Sequence, residues 1–286
     1  MAGDIRVIKK GEPVKPEYMG FKDVQIDPEA LARLYEGGLN AGDNKFDCVE
    51  NEYVILRDED GNPLDHLRYE NGVYRRVKPK SINSDWSKIK PRNCEQILAI
   101  DMLLSEHTTV HVLSGRAGSG KSMLAVAFAM EAIKKGKFEK LVYIRNNISV
   151  RDTQDIGAIP GGVNEKLLPF MGPLIDHANP YMIGDCVEVI HLGHIRGRDI
   201  RNSLIFCTEA ENLTTAHASL LISRVGEGSK IIFDGDTKQI DRKTFEIDNG
   251  LRSTIDVLKG NKLFSCVKLR KSERSPTAAL ADLFDR

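Results

Sequence analysis

VHVLSGRAGSGKSMLAVAFAMEAIKK, residues 110–135, carries three local instructions in succession. VHVLS is an apolar run of strand length, GRAGSG is too rich in glycine to stay extended or helical, and KSMLAVAFAMEAIKK is dominated by good helix formers. The middle, GRAGSGKS at 115–122, matches the pattern G-x-x-x-x-G-K-[ST] in the setting that gives it meaning, a strand before and a helix after. Gly115, Gly118 and Gly120 let the backbone curl so that N–H groups converge on an anion. The surrounding Arg116, Ala117, Ser119 and Met123 contribute backbone to that cradle, and the helix starting near Lys121 adds the positive end of its dipole. The Lys121 ammonium is expected at the β and γ phosphates of a nucleoside triphosphate, and the Ser122 hydroxyl on Mg²⁺. A glycine-rich turn with an incidental lysine is the bland alternative, and the flanking strand and helix argue against it. The loop alone does not say what becomes of the nucleotide, because kinases, switches and motors share it.

Outward from this loop, apolar strands alternate with amphipathic stretches: TVHVLSG, KLVYIRN, VEVIHL, SLIFCT and KIIFDGD. Such alternation predicts an α/β domain, a mainly parallel sheet with helices on both faces. Upstream, EYVILRD, LDHLRYE and VYRRV are separated by the turns DEDGNP and NG, which predicts a three-stranded β meander over 52–77. Earlier still, DPEALARLYEG reads as one helix opened by Asp27 with Pro28 in its first turn. The expected division is a segment of no legible role at 1–50, a small β module at 51–85, and the main domain at 86–286.

Lys plus Arg equals Asp plus Glu, 41 each, so any basic binding surface must be local. Five cysteines without CxxC spacing fit neither a zinc nor a disulfide framework. Neither a signal peptide nor a membrane span is expected, and the reading is a cytoplasmic protein.

Further candidates lie at strand ends. LIFCTEAEN, 204–212, is a buried strand ending in a carboxylate, Glu209, yet Thr208 stands where nucleotide hydrolases usually place an aspartate. Gln96 in RNCEQ suits an adenine edge, although a Gln at a helix start commonly faces solvent. Gln239 in FDGDTKQID could sense a γ phosphate or hold water. KLRKSERSP places Arg270, Lys271 and Arg274 together, either for transition-state charge or as a solvated basic run.

KPRNCEQ, GRAGSGKS, DIGAIPGGVNEKLLPFMGPL, HIRGRDI, TEAENLT, GEGSKIIFDGDTKQID, NGL and KSERS follow in this order. Together they resemble the PhoH-like ATPases, and in particular the ATPase half of the longer PhoH proteins that carry an N-terminal PIN nuclease domain. The resemblance covers about residues 88 to 284, two-thirds of the chain. It implies a RecA-like P-loop core related to superfamily-one helicases, ATP hydrolysis with Mg²⁺, a hexameric ring, and RNA or single-stranded nucleic acid as substrate, in a protein of bacterial or phage origin. On that template Gln96 reads adenine, Glu209 is the general base, Gln239 senses the γ phosphate, and Arg274 is a sensor or finger. Arg145 and Arg196 are assigned to nucleic acid or a subunit contact, and Arg198 to a group acting in trans. The meander resembles the connector that follows the PIN domain. Roughly 50 residues precede it, fewer than the roughly 100 an independent α/β nuclease needs, so a complete nuclease is not expected, and a separately encoded one is a candidate partner.

Three residues, at two places, depart from the family pattern. Where the family reads DEAQN this chain reads TEAEN, with Thr208 for Asp and Glu211 for Gln; where the family has Thr, this chain has Asp234. A neutral threonine oxygen is a poor partner for a hard dication. In a RecA-like sheet the strand ending at Asp234 should lie between the P-loop strand and the strand ending at Cys207, so Asp234 is expected to supply the carboxylate that Thr208 lacks. The leading expectation is an ATP-driven motor on a single strand. The alternative is a nucleotide-gated binding or assembly protein with little or no hydrolysis.

Overall fold

The chain first builds a small mixed sheet. Strand β1 (Phe21–Gln25) lies parallel to β2 (Tyr53–Arg57), which pairs antiparallel with β3 (Pro63–Glu70), and β3 with β4 (Val73–Arg76). The computed structural model describes residues 17–36, 44–83, 88–145, 172–177, 186–239, 245, 247–273 and 277. Helix α1 (Pro28–Glu36) starts where its sequence signals it, with the Asp27 carboxylate accepting from the Ala30 N–H at 2.7 Å. The meander is thus present, but β1, taken from the segment read as having no legible role, extends it to four strands.

The pleat explains why YVILR in β2 is so apolar. Tyr53 and Ile55 face one core together with Leu98 and Met102 of α2 (Cys94–Leu104). Val54 and Leu56 face another with Leu34, Leu67 and Tyr74. Fully burying each such side chain contributes about 1.5–3 kcal/mol. The small sheet therefore shares a core with the main domain across the expected boundary at 85/86. β5 (Ile82–Asn83) and β6 (Lys88–Ile89) flank that position as a short antiparallel pair.

Two fastenings reinforce the junction. Gly20, at φ +79°, sits so close to β12 (Phe264–Leu269) that a Cβ would lie 1.7 Å from the Cys266 carbonyl oxygen; its own carbonyl accepts from Tyr53 N at 3.0 Å. Asp101 of α2, 3 % exposed, receives Arg75 at 2.8 Å, the Tyr53 hydroxyl at 3.2 Å, Lys80 at 3.4 Å and Arg68 at 3.5 Å.

The main domain follows: β7 (Val110–Gly115), α3 (Lys121–Lys134), β8 (Lys140–Arg145), α4 (Gly172–His177), β9 (Val187–His191), β10 (Ser203–Thr208), α5 (Thr215–Ile222), β11 (Lys230–Gly235), α6 (Gly250–Leu258) and β12. Its six strands are all parallel in the order β12-β7-β11-β10-β8-β9. This is the α/β, RecA-like arrangement expected, with β11 between the P-loop strand and β10. Alternate strand residues feed two cores. Leu113, Tyr143, Phe206 and Ile232 pack under α2 and α3, while Val112, Ile144, Cys207 and Phe233 pack under α5 and α6. α3 is buried continuously from Leu124 to Ala132, which is why its sequence is apolar on every side. Among the described residues no helix is long and apolar enough to cross a membrane.

Candidate active site

Parallel strands deliver their carboxyl ends to one edge, and crossing from β7 to its neighbours there opens a crevice. A cavity of about 590 Å³ lies over this edge. Its walls are the P-loop residues Ala117, Gly118 and Gly120 to Met123, the β10 exit at Thr208, Glu209 and Glu211, and the β11 exit from Asp234 to Asp236. Gln239, Arg92, Gln96, His177 and Glu273 complete it.

Gly120 caps α3 in the left-handed region, φ +95°, which is how the chain turns sharply enough to aim the first N–H groups of the helix outward. The Lys121 ammonium donates to the Gly115 carbonyl at 2.6 Å and to that of Arg116 at 3.1 Å. Ser119 is buried, whereas Arg116 is exposed. The outer turn is braced from α2. The Asn93 side chain caps that helix, and the Gln96 amide accepts from Arg92 N at 2.9 Å and donates to the Ser119 carbonyl at 3.2 Å. Each end of the Gln96 amide keeps one further hydrogen or lone pair for a ligand. Glu273 closes the brace, its N–H donating to Gly118 O at 3.0 Å and its carboxylate accepting from Asn93 at 2.7 Å.

The Ser122 hydroxyl donates to the Asp234 carboxylate at 2.5 Å, and the other oxygen of Asp234 accepts the Glu209 N–H at 3.2 Å. Thr208, 3 % exposed, sits one strand farther from the P-loop. One carboxylate and one hydroxyl in contact suit Mg²⁺, which keeps much of its water and relies on substrate phosphates rather than a full protein cage. Among the described residues no group of three or more His, Cys, Asp or Glu makes such a cage.

Glu209 adopts φ +55°, ψ +42°, an uncommon conformation for a residue with a side chain, and the turn it makes sends its carboxylate sideways to Arg145. The Arg145 guanidinium grips it in fork fashion, through a short Nη2–Oε1 contact and Nε–Oε2 at 3.3 Å. Glu211, which lines the cavity, accepts from Asp236 N at 3.1 Å. Burial above all, helped by the nearby charges of Asp234 and Glu209, pushes its carboxyl up to about 8.

Other expected residues lie at the margin of the cavity or away from it. Gln239 is exposed at the rim of the cavity. Arg198 is not in its wall: it clasps Glu188 of β9 at 2.7 and 3.2 Å, and together with Lys140 it holds that carboxyl down at about 2. A trans role for Arg198 would require giving up this pair. Arg196 is exposed on the turn after β9. Arg274 lies outside the described residues, as does most of DIGAIPGGVNEKLLPFMGPL. Arg270 is structural, held by Glu95 at 2.6 Å and Asp23 at 2.8 Å. Sequence reasoning did not place Glu211, Glu273, Arg92 or His177 in the site. The signal for Glu211 was available, since a tight turn after Glu209 returns the second residue on to the same edge.

The family model described as PhoH-like protein matches residues 88–281. The chain is 33 % identical over 283 residues to Protein PhoH2 of Bacillus subtilis (strain 168), an alignment that covers 92 % of this chain and 63 % of that protein. It is 34 % identical over 201 residues to Protein PhoH2 of Mycolicibacterium smegmatis, covering 67 % of this chain and 46 % of that one. It thus spans only about half to two-thirds of the length of these relatives. Among solved structures, the Sulfolobus solfataricus SWI2/SNF2 ATPase core in complex with dsDNA is 11 % identical with a TM-score of 0.36, covering 67 % of this chain and 46 % of that one, a likeness too slight to transfer anything. A P-loop, its bracing glutamine and the acidic exits of β10 and β11 all fall inside the matched residues, and the chain belongs to the PhoH-like protein family.

Proposed function

We propose that this chain binds ATP with Mg²⁺, hydrolyses it, and uses the cycle to change its grip on RNA or another single strand, working as a ring of identical copies. The observation that carries the reading is the Ser122–Asp234 contact beside Lys121 on the floor of the cavity. It gives the P-loop hydroxyl the carboxylate partner that Thr208 cannot be. Lys121 neutralises the β and γ phosphates, Gln96 meets the base, and Ser122 and Asp234 would hold Mg²⁺, whose charge would stabilise the same phosphates. In the hydrolytic step a water oxygen bonds to the γ phosphorus as the bond from that phosphorus to the bridging oxygen breaks. ADP and phosphate leave, and the water proton passes to the Glu209 carboxylate. Arg145 and Arg196 contact strand phosphates, and binding weakens steeply as salt rises.

A second reading, a nucleotide-gated assembly protein with slow chemistry, is favoured by one observation: the Glu209 carboxylate is paired with Arg145. ATP turnover with and without RNA or single-stranded DNA, beside a mass determination in nucleotide, separates the two. The motor reading expects strand-stimulated turnover that Lys121→Ala abolishes. Uptake of MgATP with no turnover at saturating RNA and single-stranded DNA would overturn it in favour of the second.

A further inference from the structure

We propose that Arg145 is a positioning residue that couples strand binding to hydrolysis: its guanidinium holds the Glu209 carboxylate aside, and a strand phosphate that takes the guanidinium returns Glu209 to the nucleotide. This rests on the reading of Glu209 as the group that accepts the water proton.

The geometry points to it from three directions. In the sheet register Arg145 stands beside Thr208 on one neighbour and His191 on the other. It is therefore the junction between the catalytic exit of β10 and the outer shelf of the edge. Second, the Glu209 backbone is pinned: its N–H is given to Asp234 at 3.2 Å and its carbonyl accepts Asn212 N at 3.0 Å. Only side-chain torsions remain to move the carboxylate between Arg145 and the cavity, which Glu209 already lines. Third, the pair is accessible, with 24 % of the Arg145 side chain and 38 % of that of Glu209 exposed. An ion pair that solvent can reach contributes little net stability, so a phosphate, which offers the same planar fork two oxygens, can compete for it.

Beyond Arg145 the edge offers two imidazole rings and an exposed cation. His191 and His194 lie with ring centroids 6.0 Å apart, and Arg196 is exposed on the next turn. A single strand crossing these groups brings successive phosphates past Arg145, with imidazole rings available for base stacking.

The test compares steady-state ATP turnover of the parent, Arg145→Ala, Arg145→Lys and Glu209→Gln, each with and without a saturating RNA oligonucleotide and a single-stranded DNA of the same length. The expected result for Arg145→Ala is strand-free turnover raised severalfold, with stimulation lost and the change falling in kcat rather than in KM for ATP. Arg145→Lys, which keeps charge but not the fork, retains part of the stimulation and covers the case in which the alanine variant folds poorly. Glu209→Gln is inactive under all conditions. If the parent is stimulated and either Arg145 variant is stimulated by the same ratio, or Arg145→Ala loses its strand-free turnover, the coupling role is wrong while the proposed function stands. If the parent shows no turnover with or without strand, both fall together.

Discussion

The Asp234 carboxylate stands 2.5 Å from the Ser122 hydroxyl, joining the end of β11 to the first turn of α3. Because β11 lies directly beside β7, a carboxylate on β11 is one strand nearer the P-loop than a carboxylate on β10 would be. The Asp234 carboxylate on β11 thus stands on the same sheet edge as Thr208 on β10, one strand nearer the P-loop. It also ties two exits together, since Asp234 accepts from the Glu209 backbone as well.

Gln96→Ala removes both the amide facing the cavity and the brace on the Ser119 carbonyl. Loss of about one good hydrogen bond predicts a Kd for MgATP raised about tenfold, roughly 1.4 kcal/mol, with turnover at saturation changing much less. Titration calorimetry beside a saturation curve checks this, and an unchanged Kd would remove Gln96 from the nucleotide site.

Glu211 predicts a pH effect whose sign can be worked out. Its folded-state value, about 8, is above the ordinary carboxylate value of 4.5, so folding favours the protonated form. The stability this group allows is fully present below the unfolded value. It is lost as pH rises towards about 8, at a slope approaching about 1.4 kcal/mol per pH unit. Glu211→Gln keeps the shape without the proton, so its advantage in urea unfolding without Mg²⁺ or nucleotide should grow between pH 5 and 8 and level off above. Parallel curves for the two proteins would show that Glu211 is not desolvated.

Asp101 joins the small sheet to α2. Burial alone would raise its carboxyl, but Arg75, Arg68 and Lys80 override that and hold it below the usual range. Its contribution is thus present above the unfolded value and lost as pH falls through the lower folded one. Asp101→Ala leaves Arg68 buried without this partner and should cost about 3–5 kcal/mol in urea unfolding at neutral pH. A loss confined to a few tenths would mean that Asp101 is not a principal fastening between the two sheets.

What could be read without the structure was what is local. The P-loop, the helix at Asp27 and five of the six parallel strands announce themselves through glycine placement, capping and two- or three-to-four-residue periods. The place of the strand ending at Asp234 was legible through the family resemblance, which implies the sheet order. By contrast β1 and β12 were not read as strands. FKDVQ is half exposed, and FSCVKL carries Ser265 and Lys268, so neither has the apolar run of its neighbours; both are strands because of what they pair with. Arg270 was left between a phosphate and solvent, and its partners Glu95 and Asp23 lie 175 and 247 positions away, beyond any local signal. The Arg145–Glu209 pair spans 64 positions and was hidden for the same reason.

Asp234 is the acidic partner of Ser122 on which the proposed chemistry turns, and Mg²⁺-dependent ATP turnover of two variants tests that role most directly. Asp234→Ala should lose at least about a hundredfold in kcat, as removal of a principal electrostatic contributor does, while Thr208→Asp combined with Asp234→Thr should recover most of it. Asp234→Ala turning over ATP as fast as the parent, at the same Mg²⁺ requirement, would contradict the claim.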